Sequence, residues 1–145
     1  MTSKIIVGLD GYEPDNRALA YARRLAELIG SCELVLVYVI EWSPFSFQTA
    51  EENAERHKRR EEEIALAKSR VIEPAVSALS GDGLSVRGIV RHGDVAELLE
   101  SIGVEEGAEQ IIVARTSDKS LSSRIFGSST ANLVMHSRLP VTVVG

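Results

Sequence analysis

The sequence predicts an α/β domain, a parallel β-sheet covered by helices on both faces. Short, nearly continuous apolar runs recur along the chain (KIIVGLD, ELVLVYVI, QIIVA and PVTVV), as strands buried on both faces require. Between them lie longer stretches with apolar residues three and four positions apart, the pattern of helices that carry the chain back between parallel strands. A length of 145 residues with 44% apolar content matches one domain with a full core.

Lys4 to Asp10 is the first strand, and its unbroken apolar character places it centrally. Glu13-Pro14-Asp15 then starts a helix, with proline in the first turn and an acid at the positive dipole end. Ala18, Tyr21, Ala22, Leu25, Leu28 and Ile29 form its expected inner face, and Gly30 closes it. Glu33 to Ile40 is the second buried strand, followed by Trp42-Ser43-Pro44-Phe45, which predicts a loop with exposed aromatics. Thr49 with Glu52 reads as a capping box that opens a long helix. Its first half, Glu51 to Glu63, is almost wholly charged. Arg56, Lys58, Arg59 and Arg60 alternate there with glutamates, which reads as a solvated face more readily than as an anion patch. The second half carries a core stripe of Ile64, Ala67, Val71, Ala75 and Leu79, with Pro74 expected to kink or restart the helix and Gly81 and Gly83 to end it.

Leu84 to Arg91 starts with apolar and polar residues in alternation and contains Gly88, as suits a strand nearer a sheet edge. Gly93-Asp94 with Glu97 is a helix cap, and Val95, Leu98, Leu99 and Ile102 form a short helix expected to end at Gly103. Gln110 to Ala114 is the fourth strand, and Arg115 to Phe126 a polar loop. Gly127-Ser128-Ser129-Thr130 opens a last helix, with Ala131, Val134 and Met135 expected to face inward, before the fifth strand, Pro140 to Val144. Sheets of this kind bind ligands beyond the carboxyl ends of the strands, where the strand order reverses. The residues predicted there are Asp10 to Tyr12, Val39 to Trp42, His92 to Asp94 and Ala114 to Thr130.

Composition narrows the function classes. Asp and Glu (21) outnumber Lys and Arg (16), giving a net charge of −5, which argues against a nucleic-acid partner. The apolar run at the amino terminus is too short for a membrane span and lacks a cleavage region, so no membrane association and a cytoplasmic location are expected. The single cysteine, Cys32, forms no internal disulfide and fits a reducing compartment as an inert thiol. No G-x-x-x-x-G-K-[ST], G-x-G-x-x-G, G-x-S-x-G or H-E-x-x-H motif occurs, and no Cys/His cluster has ligand spacing. Of the histidines, His57 and His136 lie on helices, while His92 precedes Gly93-Asp94 at a strand end with no partner nucleophile in sight.

Three stretches, KIIVGLDGYEPDNRAL, VRHGDVAELL and IIVARTSDKSLSSRIFGSSTANLVMHSRLPVTVV, together resemble the universal stress protein family over essentially the whole chain. The resemblance implies a five-stranded parallel sheet of order 3-2-1-4-5, of the adenine nucleotide alpha hydrolase-like kind, usually dimeric. In nucleotide-binding members it also implies a G-x(2)-G-x(9)-G-[ST] motif after the fourth strand. Here the three glycine positions fall at Ala114, Ser117 and Gly127, followed by Ser128, with the spacing kept and two glycines replaced. Glycine admits positive φ and close approach to phosphate, so Ala114 and Ser117 point to weakened binding. Gly127, Ser128, Ser129 and Thr130 still form an anion cup beside Arg115, Lys119 and Arg124, although Ser128 or Ser129 could equally serve as a plain helix cap. Asp10 matches the family position that meets adenine and ribose and also suits a turn cap. Val39 matches the position whose backbone recognises adenine and also suits a core valine.

The expected ligand is accordingly ATP or AMP, with Mg2+ as accompanying ion, at Asp10, Val39, Ala114, Ser117, Gly127, Ser128 and Ser129, without catalysis. Tyr12 and Trp42 are positioned by sequence to wall the same crevice or simply to anchor loops. The expected partners are a second copy, through Pro140 to Val144, and another protein that reads the state of the module. The other reading is a ligand-free dimeric interaction module that has lost ATP.

Overall fold

The computed structural model describes residues 2–9, 17–41, 50–80, 83–115 and 130–145. Its elements are β1 (Ser3–Leu9), α1 (Arg17–Ile29), β2 (Cys32–Glu41), α2 (Ala50–Ala67), a π-helical turn (Lys68–Ile72), α3 (Glu73–Ser80), β3 (Ser85–Gly93), α4 (Val95–Glu106), β4 (Gln110–Ala114), α5 (130–136) and β5 (Val141–Val144). The sheet is parallel with order β3-β2-β1-β4-β5. β1 is central, as its continuous apolar run predicts, and Ile5, Ile6 and Val7 have no solvent exposure.

Alternate side chains of each strand feed two cores. Ile5, Val7, Leu9, Leu34, Leu36 and Ile112 point to the face covered by α1, α2 and α3. Ile6, Val35, Val37, Ile111 and Val113 point to the face covered by α4 and Leu133 of α5. The remaining backbone ends are tied across strands: the Glu109 N–H donates to Lys4 O at 2.8 Å and the Arg115 N–H to Val144 O at 2.7 Å.

Three helix faces differ from expectation. On α1 the buried residues are Ala18, Ala22 and Ala26, one helical turn apart, whereas Tyr21, Leu28 and Ile29 are exposed. Small side chains let the helix axis come close to the sheet, and that closeness outranks hydrophobicity in choosing the inner face. On α5 the inward residue is Leu133, 2% exposed, while Ala131, Val134 and Met135 face out. Successive residues of a helix are rotated by about 100° each, so with Leu133 turned to the core its neighbours in sequence turn away. In α4, Gly103 lies inside the helix rather than at its end: a methyl there would sit 2.6 Å from Leu139 Cδ1, so the glycine makes room for the chain entering β5. The stop is Gly107, whose φ of 67° is left-handed and whose N–H returns to the carbonyls of Gly103 and Val104.

The long second helix passes Pro74 without leaving helical geometry. An unbroken α-helix would demand an N–H from Pro74 and press its ring against the Arg70 carbonyl. The π turn just before it relieves this, with the Glu73 N–H donating to Lys68 O, and α3 then restarts. The extra residue also turns Ile72 inward beside Val71, over Gly88 of β3, where a methyl would lie 2.1 Å from Ile72 Cγ2. Gly88 thus serves helix packing on an edge strand, a role the alternation in the sequence does not announce.

Candidate functional site

The strand order reverses between β1 and β4, so the carboxyl ends of β1, β2 and β4 surround the position where such sheets take ligands. Register sets the levels: Leu9 pairs with Tyr38, Tyr38 with Val90, Val7 with Ile112, and Ala114 with Val144. Ala114, two residues beyond Ile112, is therefore level with Leu9, and Val39 is one step higher beside Arg91. With β1 between them, Val39 and Ala114 stand on the order of 10 Å apart across the sheet. Their side chains go to opposite cores. Val39 packs toward α4, and Ala114, 8% exposed, joins the cluster under α1.

The Ala114 methyl is thereby taken into the core and not presented at the strand's open end. No described non-glycine residue has positive φ, so an L-residue at 114 fits without backbone strain. Asp10, Ser117, Gly127, Ser128 and Ser129 lie outside the described residues, as do Tyr12, Trp42, Lys119 and Arg124. What the structure brings to the carboxyl edge from the predicted set is the Val39 backbone, the Ala114 strand end and the exposed Arg115.

Two other groups at that edge have definite partners. Asp94 is the N-cap of α4, its carboxylate accepting the Glu97 N–H at 3.0 Å, which commits that oxygen to helix capping. His92, 9% exposed at its side chain, places Nε2 3.0 Å from Glu63 Oε2 of α2, whose side chain is 53% exposed. His92 was singled out by its position next to Gly93-Asp94. Glu63 was not, because nothing in a run of alternating charges distinguishes the one carboxylate that meets the sheet. Among the described residues no group of three or more His, Cys, Asp or Glu is arranged to hold a metal ion.

The densest charge network lies at the opposite, amino edge. Arg87 of β3 donates Nη1 to Glu106 Oε1 at 3.0 Å and Nη2 to Glu33 Oε1 at 3.1 Å, and Lys4 Nζ reaches Glu106 Oε2 at 3.2 Å. Hydrogen bonds from Arg87 and then Lys4 hold the Glu106 carboxyl down to about 2, and Glu106 in turn raises Arg87. These groups tie β1, β2, β3 and α4 together away from the reversal point, so their work is structural. Cys32 is buried, and that burial pushes its thiol up, with the neighbouring Glu33 charge adding to the effect, as an inert sulfur requires.

A five-stranded parallel sheet of order 3-2-1-4-5 that reverses at β1/β4 defines the doubly wound class of α/β domains. Within it, the universal stress protein family model matches residues 1–145, and the chain belongs to that family. It is 27% identical over 148 residues to universal stress protein G of Salmonella typhimurium, with 99% of each chain covered. Among solved structures it is similar to the universal stress protein UspA from Lactobacillus plantarum, with a TM-score of 0.80 at 19% identity over 99% of this chain and 97% of that one. It is also similar to the universal stress protein from Archaeoglobus fulgidus solved in complex with dAMP, with a TM-score of 0.62 at 19% identity over 99% of this chain and 98% of that one. No described helix is long and apolar enough to cross a membrane.

Proposed function

We propose that this universal stress protein is a cytoplasmic, non-catalytic binding module that takes an adenine nucleotide, ATP or AMP, weakly at the carboxyl edge of its sheet. The observation that carries the reading is the reversal at β1/β4, which sets the Val39 backbone and the end of β4 at Ala114 on either side of the β1 terminus. A relative of the same fold bound to dAMP supports the same ligand class. The two-and-nine spacing leads from Ala114 through Ser117 to Gly127, Ser128 and Ser129, just ahead of α5, where phosphate finds backbone N–H groups and hydroxyls. Mg2+ does not find a protein cage among the described carboxylates, with Asp94 committed to its cap, so an ion would travel with the phosphates.

Pairing of two copies along β5 belongs to the same proposal. The four residues of this edge strand carry no charge, its Val143 is exposed, and on the helix that precedes it in sequence Val134 and Met135 are exposed, Met135 to 76%. The replaced glycines favour the second reading, a ligand-free dimer recognised by another protein. Titration calorimetry with ATP and AMP separates the two. On the proposed function the parent binds weakly, Ser117→Gly tightens binding, and Gly127→Val abolishes it. Absence of heat in the parent and in Ser117→Gly alike, with both folded, replaces the nucleotide reading by the ligand-free one.

A further inference from the structure

We propose that two copies paired along β5 leave between their α1 helices a trough one helix wide, and that this trough takes an acidic amphipathic helix of a partner protein, one for each dimer. The inference rests on the β5 pairing of the proposed function and adds to it the chemistry of the partner.

The trough follows from where α1 sits. α1 contacts β2, β1, β4 and β5, four neighbouring strands, so its axis lies over the middle of them, between β1 and β4. α2, the π turn and α3 contact β2 or β3 instead, while α4 and Leu133 of α5 belong to the other face. Among the described helices, α1 is therefore the one that covers β4 and β5 on its face of the sheet. There β5 presents Thr142 and Val144, both half-buried. A twofold axis through the sheet beside β5 joins the two β5 strands antiparallel and puts both α1 helices on the same face. Each α1 is then two strand spacings from the axis, so the pair stands about 19 Å apart. Packed helices lie about 8–10 Å from one another, and the gap holds one further helix that touches both.

The wall that each α1 offers is apolar with a basic rim. Successive residues are turned by about 100°, so with Ala18, Ala22 and Ala26 on the sheet, Tyr21, Leu25 and Leu28 lie on one flank and Leu19 and Arg23 on the other. β1 and β2 are parallel and α1 connects them. A crossover of that kind is right-handed, which turns the Leu19 flank toward β2 and the Tyr21 flank toward β4 and β5. Tyr21 is 42% and Leu28 67% exposed, with half-buried Leu25 between them. Arg24 stands exposed at the rim above these three. Three arginines of α1 face its one acid, Glu27, which is bound to Arg23 on the far flank, and this in a chain of net charge −5. Leucine-type side chains turned to the walls and floor, with carboxylates toward the two rims, complement this surface.

The test is fluorescence anisotropy with a labelled peptide of about eighteen residues, leucine at every third or fourth position and glutamate flanking them, against the same peptide with lysine for glutamate. Both are titrated where sedimentation finds the parent as a dimer. The glutamate peptide should saturate at one per two chains and bind at least about tenfold more tightly than the lysine peptide. Leu28→Glu should weaken it about tenfold, a change at a position exposed enough to leave folding intact. Arg24→Glu should narrow or reverse the preference between the peptides, and Val143→Lys, as a monomer with half the trough, should lose binding. A dimeric parent that ignores the glutamate peptide, binds one per chain, prefers the lysine peptide, or is unaffected by Leu28→Glu overturns the trough and leaves the β5 pairing standing. A monomeric parent overturns the pairing itself, and the trough with it.

Discussion

The two edges of the sheet are built on opposite plans. β3 is nine residues long, carries Arg87, Arg91 and His92, and is covered by the run from α2 to α3. β5 is four residues long and uncharged, with Val143 exposed, and follows a helix whose Val134 and Met135 are exposed. Charges on an unpaired edge deter a second chain, and a short apolar edge invites one. The difference shows how one open sheet can be covered at one edge and left bare at the other, with the β1/β4 reversal between them.

The comparison breaks first at Gly88. A methyl 2.1 Å from Ile72 Cγ2 must displace the π turn, so Gly88→Ala should lose about 3 kcal/mol of stability in urea unfolding. In an Ile72→Ala background, which itself costs about 3 kcal/mol, the same substitution should be nearly neutral. Additive losses would show that β3 is not held by this fit.

A smaller effect concerns the amino-edge network. The Glu106 carboxyl is held at about 2 against an ordinary 4.5, so its contribution is complete above pH 4.5 and is lost as pH falls through about 2. Glu106→Gln should therefore cost about 1 kcal/mol at pH 7, a modest figure because Arg87 is partly exposed to water. The difference from the parent should shrink steadily between pH 4.5 and pH 2. A constant difference across that range would remove Glu106 from the account.

The smallest effect is expected at the solvent side of β3. Arg91→Thr should change stability by under about 0.5 kcal/mol, yet lower the concentration at which the protein precipitates, because the edge loses a deterrent charge. Unchanged solubility would indicate that the α2 to α3 cover alone protects this edge.

Much of this architecture was legible in the sequence, and the failures share a cause. β4 runs from Gln110 to Ala114 as read, because an apolar run between a charged residue and a polar loop leaves one solution. The Asp94 cap was equally plain. By contrast, on α1 Ala18 and Ala22 face inward as read, while Ala26 was passed over and Tyr21, Leu28 and Ile29 were placed inward because hydrophobicity was weighed and closeness of approach was not. Gly103 and Gly107 were confused for a similar reason: a glycine serving packing and one serving a left-handed cap look alike until Leu139 is placed. At the site, Val39 and Ala114 fall at the expected strand ends, and Glu63 was hidden in a charged run whose partner is distant in sequence. Asp10, Ser117, Gly127, Ser128 and Ser129 lie outside the described residues, and their roles rest on spacing.

The contrast between the edges is tested most directly by sedimentation equilibrium of three proteins at tens of micromolar, roughly the range in which weak dimers assemble. The parent should be a dimer. Val143→Lys should be a monomer, since it places a charge in the middle of β5 at an exposed position, and Arg91→Thr should remain a dimer, since β3 takes no part. A monomeric parent, or a dimer that survives Val143→Lys, would contradict the account.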